Sequence, residues 1–174
     1  MTTKGIEFAS LSLKDALDLA VLIEEEARDR YEEFAEQMEL HHTPEAAKFF
    51  RFMAGNEEKH RAELAERRRI IFRNAHSAVT RQMIFDVEAP EYDEARAFMT
   101  AREALQAAFR SEKKAYAFFT GALVHVAEPT VKSLFEELRA EEIQHQKLVL
   151  AELEKTPPDS ALRAEDFADE PTAQ

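Results

Sequence analysis

Cysteine is absent from this chain, and that single gap removes several chemistries at once. Disulfides, Cys-ligated zinc, iron–sulfur clusters and thiol nucleophiles are all excluded. Glycine is scarce at 3 residues, proline is modest at 6, and tryptophan is missing. No apolar run approaches the roughly 18 residues that a membrane-spanning helix needs, and no signal-peptide core follows Met1. Positive charge is also in short supply. Lys and Arg number 23 against 35 Asp and Glu, and the formal net charge of −12 repels nucleic-acid phosphates. The expectation is a cytoplasmic protein that binds no nucleic acid and has no transmembrane segment in this chain.

What is present is helix-forming material. Ala, Leu, Glu and Arg are abundant, and a 45% hydrophobic fraction over 174 residues supports one sizeable domain. The first helical pattern runs from near Leu11 to about Leu40, with Leu13, Leu17, Ala20, Glu24, Ala27, Tyr31, Phe34 and Met38 on one stripe. Thr43 reads as an N-cap and Pro44 as the first residue of a second helix. Its stripe is Ala46, Phe50, Met53, Glu57, His60, Leu64 and Ile71. His41 and His42 fall in the short joint, so these helices are antiparallel, and they read as a polar connection, not a second metal site.

Periodicity is lost over residues 76–92, which read as a crossover, with a short helical piece from Asp93. Thr100 and Glu103 form a capping-box signature for the third helix, whose stripe is Leu105, Ala108, Glu112, Tyr116, Phe119 and Leu123. Pro129 opens the fourth, with Val131, Phe135, Leu138, Glu142, His145, Val149 and Leu153. Pro157 and Pro158 stop it. Residues 157–174 hold five acidic groups and one Arg, too polar to fold by burial, and read as a flexible acidic tail after a domain spanning 1–156. Two short connections and one long one describe an all-α, ferritin-like four-helix bundle with a long crossover between helices two and three.

Each stripe is interrupted near its middle by one carboxylate: Glu24, Glu57, Glu112 and Glu142. In the second and fourth helices an imidazole follows at i+3, as Glu57/His60 and Glu142/His145, and residues three apart share a helix face. The halves echo one another. Phe50 and Phe135 precede Glu57 and Glu142 by seven residues, while Ala27 and Ala115 follow Glu24 and Glu112 by three. Four carboxylates in one dry cavity repel strongly and lose their hydration. Two divalent cations balance that charge, with the neutral imidazoles as nitrogen donors. Oxygen and nitrogen donors without sulfur suit iron or manganese. The competing account is a bundle whose glutamates are protonated or ion-paired; the stripes offer no inward Lys or Arg at matching depth for it.

The stretches EEEARDRYEEFA (24–35), FMAGNEEKHRAEL (52–64), EALQAAFRSEKKAYAFF (103–119) and FEELRAEEIQHQKL (135–148) resemble the rubrerythrin-like branch of the ferritin-like superfamily. The resemblance implies that Glu24, Glu57, His60, Glu112, Glu142 and His145 ligate two iron ions, with the four glutamates as catalytic side chains. It also implies oxidation of Fe(II) or reduction of hydrogen peroxide, in a homo-dimer or larger assembly. Two departures stand out. Ala115 occupies the position where rubrerythrins carry a further carboxylate, and the cysteines of their rubredoxin-type iron site are missing. Electrons then come from Fe(II) itself or from an external donor protein.

The leading expectation is therefore a ferroxidase oxidising Fe(II) with O2 or peroxide, in iron storage or detoxification. The alternatives are a rubrerythrin-type peroxide reductase served by an external electron donor, and a helical scaffold without enzymatic activity. Glu57 and Glu142 read as carboxylates shared between the metals. Tyr31 and Tyr116 lie near the stripe as core residues or as hydroxyl donors to a ligand. Glu25, Glu26, Glu58 and Glu141 adjoin ligands about 100° round the helix and read as solvated or interface groups, not as a cation path. For Arg28 a place at the site rim is the minority reading, and Arg67, Arg68 and Arg69 read as a solvated face ahead of a subunit contact. His76 and His125 have no partner at ligand spacing.

Overall fold

The computed structural model describes residues 6–40, 42–84, 87 and 100–158. A short 3-10 turn at Phe8–Ser10 precedes five helices. They are α1 (Leu13–Leu40), α2 (Pro44–Phe72), the four-residue α3 (Arg81–Ile84), α4 (Ala101–Leu123) and α5 (Pro129–Lys155). The expected helical piece from Asp93 and all but the first two residues of the expected tail lie outside the described residues.

Local chemistry sets the helix ends. Ser12 opens α1: its hydroxyl accepts from the Asp15 N–H at 3.2 Å and donates to the Asp15 carboxylate at 2.7 Å. The capping box at Thr100 and Glu103 is present in both directions, at 3.1 and 2.9 Å. Glu128 caps α5 through the Val131 N–H at 2.7 Å, with Pro129 in the first turn, where its missing N–H costs nothing. Pro44 opens α2 and Thr43 holds the N-cap position as expected, but the Thr43 side chain makes no capping hydrogen bond. Its hydroxyl turns back to donate to Met38 O at 2.9 Å. The reason is how α1 ends. His42 adopts a left-handed φ of 56°, and the N–H groups of His42 and Thr43 return to Glu39 O and Met38 O. Thr43 is spent on closing α1.

Two apolar clusters fix the direction of every long helix. The first takes Leu17 and Ile23 from α1, Leu64 from α2, Phe118 and Phe119 from α4, and Leu134 and Leu138 from α5. The second takes Phe34 and Met38 from α1, Phe50 and Met53 from α2, Leu105 and Ala108 from α4, and Val149 from α5. Hence α1 and α5 run from the first cluster to the second, while α2 and α4 run the opposite way. The chain leaves α2 at the first cluster and begins α4 at the second, as a crossover between them requires. Ile84 and Val87 are still buried in the first cluster, so α3 belongs to that end. The α1–α2 and α4–α5 hairpins make the most extensive contacts. This is the all-α, ferritin-like four-helix arrangement. No described helix is long and apolar enough to cross a membrane.

Ile71 departs from its expected place inside; it is 48% exposed. A seven-residue step falls about 20° short of two full turns, so the series Phe50, Glu57, Leu64, Ile71 drifts off the core face. Phe72 packs against the first cluster instead. Arg68 departs in the opposite sense. Instead of a solvated face it makes a clamp, donating to Asp18 at 2.7 Å and to Arg73 O at 2.8 Å. Lys14 also reaches Asp18, at 3.1 Å, and the His76 carbonyl, at 3.0 Å. The chain leaving α2 is thereby tied to α1.

Burial alone would raise the Asp18 carboxyl, but hydrogen bonds from Arg68, Lys14 and Ser77 outweigh it and hold Asp18 below its ordinary 3.8. A depressed carboxyl stabilises the fold above its unfolded value and loses that contribution as pH falls through the folded value. Asp18→Asn is expected to cost about 2 kcal/mol at neutral pH. Urea unfolding of both proteins should show the difference shrinking as pH falls below 3.8. A difference independent of pH would remove the charge from this account.

Candidate metal centre

Between the two apolar clusters lies a layer of a different character. Glu24, Glu57, Glu112, Glu142 and His145 are all buried there, and His60 is half-buried beside them. Helix periodicity explains each placement, since the residues two turns before and after each glutamate, such as Leu17 and Tyr31 around Glu24, belong to the clusters on either side. The structure thus brings together all six side chains singled out in the sequence.

The imidazoles organise the layer. The rings of His60 and His145 stack at 5.3 Å with only 8° between their planes. His60 Nδ1 stands 3.9 Å from Glu24 and 3.8 Å from Glu57. His145 Nδ1 stands 3.3 Å from Glu57 and 3.2 Å from Glu112. Glu57 therefore reaches both imidazoles, through a different oxygen to each. Three sets of donor atoms within 4.8 Å result: Glu57, His60 and His145; Glu24, His60 and Glu141; and Glu112, Glu142 and His145.

The last two sets are two ends of one centre, each with one imidazole and two carboxylates. Glu141, read from the sequence as a solvated or interface group, is half-buried and lies at the His60 end. Its position next to Glu142 is the available signal, but a rotation of about 100° round α5 takes it off the inward stripe. Because His60 lies towards the surface, that rotation brings Glu141 to it. Glu58 does behave as a surface group, paired with Arg28 and Arg61 at 2.8 and 2.7 Å. Arg28 is committed to Glu58 and Asp29 at the bundle surface. Tyr31 donates its hydroxyl to Glu112 Oε1 across the bundle, so it is a partner of the centre as well as a core residue. Tyr116 is half-buried on α4.

Electrostatics separate this layer from the surface. Burial pushes the Glu24 carboxyl up to about 7, and the neighbours that weigh most on it are Glu57, His145, Glu141 and Glu112, not a Lys or Arg. Burial likewise raises Glu141. His60 is lowered by burial and by the charge of His145. His145 goes the other way: burial would lower it, but the Glu112 carboxylate 3.2 Å away and the other negative charge nearby outweigh that. Outside, Arg61 and Arg28 hold Glu58 down at about 2.

The donor set fits a pair of divalent cations. The Nδ1 atoms of His60 and His145 are buried without a hydrogen-bond partner among the described residues, and so is Glu112 Oε2. Each is a donor to a Lewis acid that faces others of its kind across a few ångströms. Carboxylate and imidazole donors together suit iron and manganese. Ala115, wholly buried one turn beyond Glu112, brings no further carboxylate from α4.

Comparison with known proteins agrees. The rubrerythrin family model matches residues 15–153, which include both apolar clusters' helices and the whole polar layer. An uncharacterised conserved protein from Magnetospirillum magnetotacticum MS-1, solved by crystallography, has a similar fold with a TM-score of 0.69. It is 30% identical in sequence, over 85% of this chain and 97% of that one. No curated protein matches at a significant level. With that match across its length, and without a cysteine to build a rubredoxin-type site, the chain belongs to the rubrerythrin family.

Proposed function

We propose that this protein is an oxidoreductase of the rubrerythrin type, which reduces hydrogen peroxide at a di-iron centre with electrons from an external donor. Glu24, Glu57, His60, Glu112, Glu142 and His145 are the ligands in this reading. The observation that carries it is the layer of buried carboxylates and imidazoles whose nitrogens face oxygens without hydrogen-bonding to them. Family membership points to peroxide chemistry ahead of the ferroxidase reading.

When bound, a pair of iron ions supplies one electron each to a two-electron oxidant. The chain's own groups do the rest. Glu57 stands between the imidazoles and so acts as the shared carboxylate. Glu142 belongs with Glu112 and His145, which makes it a ligand of that end. The Tyr31 hydroxyl fixes Glu112 by one oxygen and leaves the other facing His145. The apolar clusters keep bulk water from the layer on both sides, which strengthens every charge interaction inside it. The ferroxidase reading keeps one support. Without cysteine the chain has no thiolate iron site to relay electrons, and Fe(II) can serve as its own reductant.

Anaerobic Fe(II) titration followed by stopped-flow mixing with O2 and peroxide in parallel tests the proposal. Two equivalents of Fe(II) and much faster oxidation by peroxide are expected; a preference for O2 would favour the ferroxidase, and no uptake a scaffold. Metal at 100 times its Kd should stabilise the fold by about 2.7 kcal/mol per site, roughly 5–10 °C in Tm. Glu57→Gln or Glu142→Gln should abolish paired binding, and wild-type oxidation kinetics in either would count decisively against this centre. Tyr31→Phe should leave Glu112 short of a donor and cost the metal-free protein about 1–3 kcal/mol in urea unfolding. An unchanged midpoint would take Tyr31 out of the centre.

A further inference from the structure

Glu141 is the acidic neighbour of Glu142 that the surface does not account for. Glu58 is held by Arg28 and Arg61, and Glu137 by Arg67 at 3.0 Å. No hydrogen bond or ion pair with another described residue engages Glu141. Its carboxylate instead places an oxygen within 4.8 Å of donor atoms on Glu24 and His60, side chains that come from α1 and α2 while Glu141 comes from α5. Three helices contribute one donor each to the same small volume.

We propose that Glu141 is a seventh donor of the centre, an oxygen ligand to the divalent cation held at the His60 end. The inference rests on the metal-centre reading above and deepens it. Two independent features point to a cation there. His60 Nδ1 is buried without a hydrogen bond, and so is the Nδ1 of His145, only 4% exposed and joined to the His60 side through Glu57. With Glu141 included, both ends have the same donor set, one imidazole and two carboxylates, with Glu57 shared between them. Without it, the His60 end holds its cation by Glu24, His60 and the shared carboxylate alone.

Geometry also says why this end needs the extra oxygen. A cavity of about 180 Å³ lies against His60 and Glu141 between α2 and α5, lined further by Glu63, by apolar side chains such as Leu64 and Leu138, and by Arg67, whose charge is taken up by Glu137 at 3.0 Å. The His145 end is more deeply enclosed: the imidazole there is 5% exposed, against 19% for His60. This cavity is where solvent would approach the His60 end and compete for a cation held there. A negatively charged oxygen on the cavity wall holds the ion against that competition and gives it a first contact on arrival. Glu141 is thus the ligand that makes an exposed end as strong as a buried one.

Anaerobic calorimetric titration of Co(II) into the whole chain tests this. Wild type should take two equivalents. Glu141→Gln keeps the shape and removes the charge; it should bind one equivalent as wild type does and the second at least about tenfold more weakly. Glu137→Gln alters the same cavity outside the donor set and should bind both normally. Glu141→Ala carries the same expectation as the amide and guards against a fold defect peculiar to it, with far-UV circular dichroism as the check. Two equivalents at wild-type affinity in both Glu141 variants would overturn the role of Glu141 and leave the centre standing. No uptake by wild type would overturn the centre and this inference together.

Discussion

Burying several carboxylates in one dry layer is the constraint on which the rest of this molecule depends. Each loses its hydration, and each repels the others across a few ångströms. Glu24 responds by holding its proton up to about 7, which relieves part of the repulsion in the metal-free chain. Such a layer persists only because it is clamped. The two apolar clusters, with Phe34 and Phe50 in one and Phe119 and Phe135 in the other, bury enough surface to hold four helices in register around a polar middle. In the proposed centre, cations would complete what the packing begins by turning that repulsion into attraction.

The chain treats its acidic residues in two ways, and the contrast identifies the site. Outside the layer, carboxylates are matched with arginine: Glu58 with Arg28 and Arg61, Asp18 with Arg68, Glu39 with Arg51. Inside, the groups that weigh on Glu24 are carboxylates and an imidazole. A fold assembled for stability alone would pair its buried acids with bases or replace them by apolar side chains. A layer of carboxylate and imidazole donors kept between two well-packed cores is what a metal-binding site at that depth requires. Lacking cysteine, the chain has no thiolate donors to set beside that layer.

Much of this was legible along the chain, and particular residues show why. The interruption of apolar stripes at Glu24, Glu57, Glu112 and Glu142 is visible because helix periodicity is local: neighbours three and four apart share a face whatever packs against it. The cap at Thr100 follows the same logic, needing only Glu103 a turn away. Thr43 makes no capping bond because its hydroxyl serves the preceding helix, and Ile71 was misread because drift accumulates over three heptads. Arg68 looked solvated because its partner, Asp18, lies 50 residues earlier.

By itself the sequence determined the helices, their inward faces and the type of donor carried at mid-length on each. It also ruled out sulfur chemistry and predicted that the third helix starts at the far end of the bundle. Only the tertiary structure decided which donors meet: Glu57 between the two imidazoles, Tyr31 on Glu112, and Glu141 with Glu24 and His60. The physical reason is that spacing along one helix is a property of the backbone. The rotation and axial offset of one helix against another are set by how the side chains of both clusters interlock, and a few ångströms there separate a surface carboxylate from a ligand.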